Sequence, residues 1–176
     1  ESARSDIAAA LAKPLSETYE RFAERGPYRI DGEAIGRRSL RNICLFYLAS
    51  GDPGNGTRLA KVQFDAGANM TDVLAALSVL TDIDCPERQA ALDAFYKRWV
   101  DDPLVIDKWF ALQARSSLPG TLDAVRALTQ HSAYTRSNRV RARWSSTPTW
   151  PRSCGIPRIP SGCAASWTPG TRSWPT

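Results

Sequence analysis

The segment Glu33–Ala49, EAIGRRSLRNICLFYLA, decides the fold class. Leu40, Ile43, Cys44, Tyr47 and Leu48 fall at i, i+3, i+4, i+7 and i+8, so winding the segment as a helix gathers them on one face. Arg37, Arg38 and Arg41 lie largely off that stripe. Nowhere in the chain does strict apolar–polar alternation run beyond four residues, so nothing argues for a sheet.

The same period continues on both sides. Upstream, Asp6–Arg25 is rich in helix formers, with a break expected near Pro14 and an end at Gly26-Pro27. Downstream, Gly51-Asp-Pro-Gly-Asn-Gly56 reads as a surface loop. It lacks the Gly-Lys-Ser/Thr ending of a phosphate loop and follows a helix where a strand is needed. A helix is expected over Thr57–Ala68, and another from Met70 with Thr71 as N-cap and Asp72 in its first turn. Pro86 suits a first helical position, ahead of Leu92, Phe95, Tyr96 and Trp99. Asp101-Asp102-Pro103 ends that helix and caps one carrying Val105, Ile106, Trp109, Phe110 and Leu112; Pro119-Gly-Thr121 caps a further one through Leu122, Val125 and Leu128. Helices of about 10–15 residues on short loops favour antiparallel neighbours. The expected fold is therefore all-α: antiparallel helix pairs forming an ARM/HEAT-like α-solenoid or superhelical fragment, without a strict sequence period.

The composition changes abruptly near residue 142. Residues 1–123 hold all 18 acidic residues against 15 basic ones, net −3, whereas residues 124–176 hold 8 arginines and no acid. The overall +5 thus belongs to the tail, which argues against nucleic-acid binding by the folded part. From Arg143 onward the chain carries four of six Trp and six of twelve Pro, with neither helical nor strand period. Ordinary disorder avoids Trp and Cys and favours Glu and Lys. Arg, Pro, Ser, Trp, Gly, Cys and Ala are what GC-rich DNA yields out of frame. The expected organisation is a helical unit over 1–142 and an unstructured, frameshifted tail over 143–176, the shift falling near Arg141–Trp144.

The residues that could carry chemistry are few. There is one histidine, His131, and no HExxH, so a zinc peptidase centre cannot be assembled. His131 follows an expected helix, where an imidazole suits the last carbonyls. Cys44, Cys85, Cys154 and Cys163 match no metal spacing; Cys44 and Cys85 read as reduced apolar residues of a cytosolic protein. The acidic pairs Asp82/Asp84 and Asp101/Asp102 sit at helix boundaries, where capping explains them. Phe95, Trp99, Trp109 and Phe110 keep helical spacing and read as core. Arg136, Arg139 and Arg141 have no acid near them in sequence and could hold a carboxylate or phosphate; the alternative is a solvated helix end. No apolar run approaches the roughly 18 residues of a membrane span.

Three stretches carry a resemblance: ARSDIAAALAKPLSETYERFAERGPYRIDGEAIGRRSLRNICLFYLA (Ala3–Ala49), VQFDAGANMTDVLAALSVL (Val62–Leu80) and DKWFALQARS (Asp107–Ser116). Together they resemble the C-terminal helical domain of bacterial aminopeptidase N, the alanyl aminopeptidases of the gluzincin class, continuously to about residue 142. The resemblance implies a cytoplasmic zinc enzyme that releases N-terminal residues from peptides. Its zinc and catalytic residues lie outside this segment, and the segment packs on the catalytic domain of the same enzyme and shapes substrate access. After the DKWF block the family typically reads SNPNRVRAL; here two residues of that pattern are missing after Asn138, and likeness stops after Ala142. The matching residues Asn138, Arg139 and Arg141 become the substrate-channel candidates. Arg141 is the one expected to touch a peptide carboxylate or backbone in the intact enzyme. No cofactor, nucleic acid or membrane is expected for the segment itself. The alternative reading is a free-standing helical scaffold for protein–protein binding.

Overall fold

A computed structural model describes residues 2–24 and 26–134. Every regular element among them is helical: α1 Ser2–Ala10, α2 Ala12–Arg21, α3 Gly32–Gly51, α4 Pro53–Ala66, α5 Met70–Thr81, α6 Pro86–Trp99, α7 Pro103–Ala114 and α8 Thr121–Leu128. The main contacts join helices adjacent or next but one along the chain, as in a stacked array whose layers touch only their neighbours. Helices α3 and α4 run antiparallel, as do α6 and α7. Gly56 meets Ala49 near the α3–α4 corner while Gln63 reaches Asn42 farther along, and Trp109 of α7 reaches back to Leu92 of α6. The all-α, ARM-like expectation holds.

Local chemistry fixes the boundaries. Asp31 accepts from the Ala34 N–H (3.0 Å) and starts α3. Pro86 and Pro103 occupy first-turn positions, and Asp102 accepts from the N–H groups of Leu104 and Val105. Gly67, at φ 56°, closes α4 in the left-handed conformation that spares glycine a Cβ penalty.

Two expectations need correction. The stretch 51–56 is not a loop: α3 runs to Gly51, Asp52 alone turns the corner, and Pro53 opens α4 while Asp52 accepts from the Asn55 N–H (3.0 Å). Gly56 permits this corner, since a Cβ there would stand 2.4 Å from Ala49 Cα. The N-cap of α5 is Asn69 and not Thr71; its side chain accepts from the Asp72 N–H at 2.9 Å. The break expected near Pro14 falls at Leu11, between α1 and α2, leaving Pro14 in the first turn of α2, where its missing N–H has no intrahelical partner to lose.

A larger correction concerns α3. Cys44 and Leu48 are buried, but Leu40 and Ile43 face solvent, while Arg38 is 3% exposed and shares the inner face with Leu45 and Ala49. The apolar stripe is wider than the contact it makes, and α2, α4 and α5 pack against its arginine-bearing flank. The core proper joins Leu45 of α3, Leu77 and Leu80 of α5, Leu92 and Phe95 of α6 and Ile106 of α7.

Candidate functional site

The most elaborate constellation of polar side chains among the described residues lies where α2, α3, α4 and α5 meet. Tyr19 donates its hydroxyl proton to Gln63 Oε1 (3.0 Å) and accepts from Arg41 Nη2 (3.2 Å). Gln63 Nε2 donates to Asn42 Oδ1 (2.8 Å) and to the Asp72 carbonyl (3.0 Å). Asp72, 2% exposed, accepts from Asn42 Nδ2 and Asn69 Nδ2, both at 2.9 Å, and faces Arg41 Nη1 at 3.6 Å. Asn69 also reaches Glu24 Oε2, whose partner oxygen takes Arg38 Nη1 at 2.5 Å. Arg38 further donates to the Arg29 carbonyl and lies over the Tyr28 ring. Each acid is matched by an arginine, as burial of charge requires.

The electrostatics agree. Burial raises Tyr19 above its ordinary value, Arg41 pulling it back down and Asp72 pushing it up. The hydrogen bond to Glu24 raises Arg38 further, against its own desolvation. Asp31 is held below the ordinary carboxylate value, first by the Ala34 N–H and then by Arg29. Burial pushes the Cys44 thiol up, as for an inert structural cysteine. The network joins four helices and contains no nucleophile paired with a base, so its chemistry is cohesive. Sequence reading missed it. The signal was present in Arg38, Arg41 and Asn42, which repeat at i, i+3 and i+4 in line with Leu45 and Leu48.

Beside it opens a cleft of about 620 Å³ between the end of α2, the following loop and the start of α3. Of its charged lining, Arg29 pairs with Asp31 and Arg37 with Glu33, while Glu24 is held by Arg38 of the network.

His131 does not meet the last carbonyls of α8 as expected. It turns back into an aromatic cluster, with ring centroids 5.0 Å from Tyr96, 5.4 Å from Trp109 and 5.7 Å from Phe110. Its Nδ1 accepts from the Ala133 N–H at 3.1 Å. Phe95, Trp109 and Phe110 are buried, as expected of core, and Trp99 is half-buried. Asp82 does not cap α6; it accepts from the Ser117 N–H and ties down the α7–α8 connection. Cys44 and Cys85 are free thiols. No group of three or more His, Cys, Asp or Glu among the described residues is arranged to hold a metal, and no helix there is long and apolar enough to cross a membrane. With His131 walled in by rings and its Nδ1 occupied, the donor set does not fit zinc. The channel candidates Asn138, Arg139 and Arg141, and Arg136 with them, lie outside the described residues.

An antiparallel helical array whose buried polar groups serve to join its layers is the architecture of a helical-repeat scaffold or accessory domain. The chain belongs to the family described as "Domain of unknown function (DUF3458_C) ARM repeats", which it matches over residues 1–146. It is 40% identical over 137 residues to aminopeptidase N of Escherichia coli (strain K12), a match covering 78% of this chain and 16% of that protein. With aminopeptidase N of Caulobacter vibrioides it shares 39% over 143 residues, covering 79% and 16%. Among solved structures it is similar to Legionella pneumophila aminopeptidase A, crystallised with aspartic acid, with a TM-score of 0.71 and 27% identity over 81% of this chain and 18% of that one. The chain thus corresponds to the C-terminal ARM-like domain of aminopeptidase N homologues and spans about a sixth of their length.

Proposed function

We propose that this chain is the accessory part of a zinc aminopeptidase, shaping the access of peptides to an active site that it does not itself contain. The observation that carries the reading is the family match over 1–146 together with 35–40% identity to several aminopeptidases N. The cohesive network fits the role: a wall that restricts entry must keep its shape, and interlocked buried charges resist shear between helices. In this reading zinc and the catalytic residues are supplied by the remainder of the enzyme, which is also the partner. The substrates are peptides losing N-terminal residues, in the cytoplasm. Arg141, with Arg139 and Asn138 beside it, is the substrate contact, a guanidinium being suited to a peptide carboxylate. The functional unit ends near residue 142, and residues 143–176 are a frameshifted tail. Resequencing that finds an intact frame through the tail contradicts this last point.

The test is a transplant. Residues 1–142 replace the matched segment of the Escherichia coli enzyme, and turnover of an alanyl anilide is compared with that of longer peptides. The chimera is expected to hydrolyse both. Arg141→Ala should raise KM for peptides about ten-fold or more, the worth of one charge-assisted hydrogen bond, and leave the anilide unchanged. Equal behaviour of the two substrates would remove Arg141 from the channel.

A further inference from the structure

The first layer of the array leaves apolar surface that the described chain does not cover. Among the described residues, eight of the twelve exposed large hydrophobic side chains lie before Ser50. Ile7 and Leu11, one helical turn apart, point outward while Ala8 turns in against Gly51. Leu40 and Ile43 form an outward ridge on α3, and Gly36, one turn before Leu40, has open space where a Cβ would stand. Tyr28 and Ile30 project from the α2–α3 connection, Ile30 at 75% exposure.

This exposure is not fraying. Arg38, itself buried, ties the connection to α3 through Glu24, the Arg29 carbonyl and the Tyr28 ring, and Asp31 caps the helix that follows. A terminal layer of a helical array needs a polar outer face to remain soluble. In this layer charged pairs such as Lys13–Glu17 and Arg37–Glu33 share the surface with the exposed Ile7, Leu11, Leu40 and Ile43, and the Arg38–Glu24 pair anchors the α2–α3 connection.

We infer that the outer face of α1–α3, centred on Leu40 and Ile43, is the seat of an apolar surface from the remainder of the aminopeptidase polypeptide. The inference rests on the accessory-domain reading above. It selects the remainder over a second copy because relatives at 35–40% identity carry this segment within one chain about six times longer. A tethered partner meets the face at high effective concentration, and a free copy does not.

The test introduces Leu40→Cys, and separately Leu104→Cys at an exposed site on α7, into both the 176-residue chain and the active transplant. Maleimide labelling is read peptide by peptide, so the native cysteines do not interfere. Leu40→Cys should label about ten-fold or more slowly in the transplant than in the chain, while Leu104→Cys labels alike in both. Equal labelling of Leu40→Cys in both overturns the inference. Labelling that slows in the isolated chain as protein concentration rises overturns it in favour of a second copy. An active transplant with a reactive Leu40→Cys sinks this docking face and leaves the accessory role standing. A transplant whose peptide-to-anilide preference is indifferent to the segment sinks the accessory role instead. Hydroxyl-radical footprinting of intact Escherichia coli aminopeptidase N, at the side chains aligned with Leu40 and Ile43, asks the same question without a chimera. Protection is expected there, and full oxidation overturns the inference.

Discussion

The two ends of the array are held together by opposite chemistry. Between α2 and α5 the glue is a charged and amide network around Asp72; between α6 and α8 it is a stack of rings around Trp109 and His131. A network fails when one partner is removed, because the survivor is left charged and buried. An aromatic stack fails in proportion to the volume lost. The first end fixes how helices register, and the second supplies bulk.

That contrast can be broken. Asp72→Ala strands Arg41 and should cost about 3–5 kcal/mol, whereas Phe110→Ala should cost a similar amount by leaving a cavity. Urea unfolding separates the two: Phe110→Leu should recover most of its loss, while Asp72→Asn, which keeps the shape but loses the charge, should recover little. Gly56→Ala comes next, at about 1–3 kcal/mol, since its Cβ meets backbone that cannot swing aside. Normal stability in that variant would mean the α3–α4 corner is looser than described.

Tyr19→Phe should cost about 1–2 kcal/mol by unmaking two hydrogen bonds. It also carries a pH signature. Burial raises Tyr19 above 10.0, so its contribution is present below pH 10 and is lost as pH climbs through the folded value. The Phe variant should lose stability less steeply there. The smallest effect is chemical: Cys44, buried and raised, should react with a thiol reagent more slowly than half-buried Cys85. Equal rates would show that α3 opens readily.

Fold class and most helix boundaries were legible in the sequence because they rest on local chemistry: Pro86, Pro103 and Asp102 act on their own turn. Other features depended on what packs where. Hydrophobicity alone selects the α3 stripe of Leu40 and Ile43, yet tertiary partners chose the flank bearing Arg38 and Arg41. Gly51–Gly56 looked like a loop because glycine and proline usually mark one; here Pro53 opens a helix and Gly56 admits Ala49. Helix-end chemistry alone points His131 at the last carbonyls of α8, since no sequence rule announces three rings from α6 and α7. Of the candidate site, the absence of a zinc motif was legible outright, whereas the network was hidden because its members are spread from Tyr19 to Asp72.

The most direct measurement is hydrolysis of an alanyl anilide by the purified chain, with and without added zinc, alongside circular dichroism. A helical spectrum with no turnover above the buffer rate is the expected result. Turnover that scales with protein and disappears with a chelator would contradict the reading of this chain as an accessory domain without a catalytic centre.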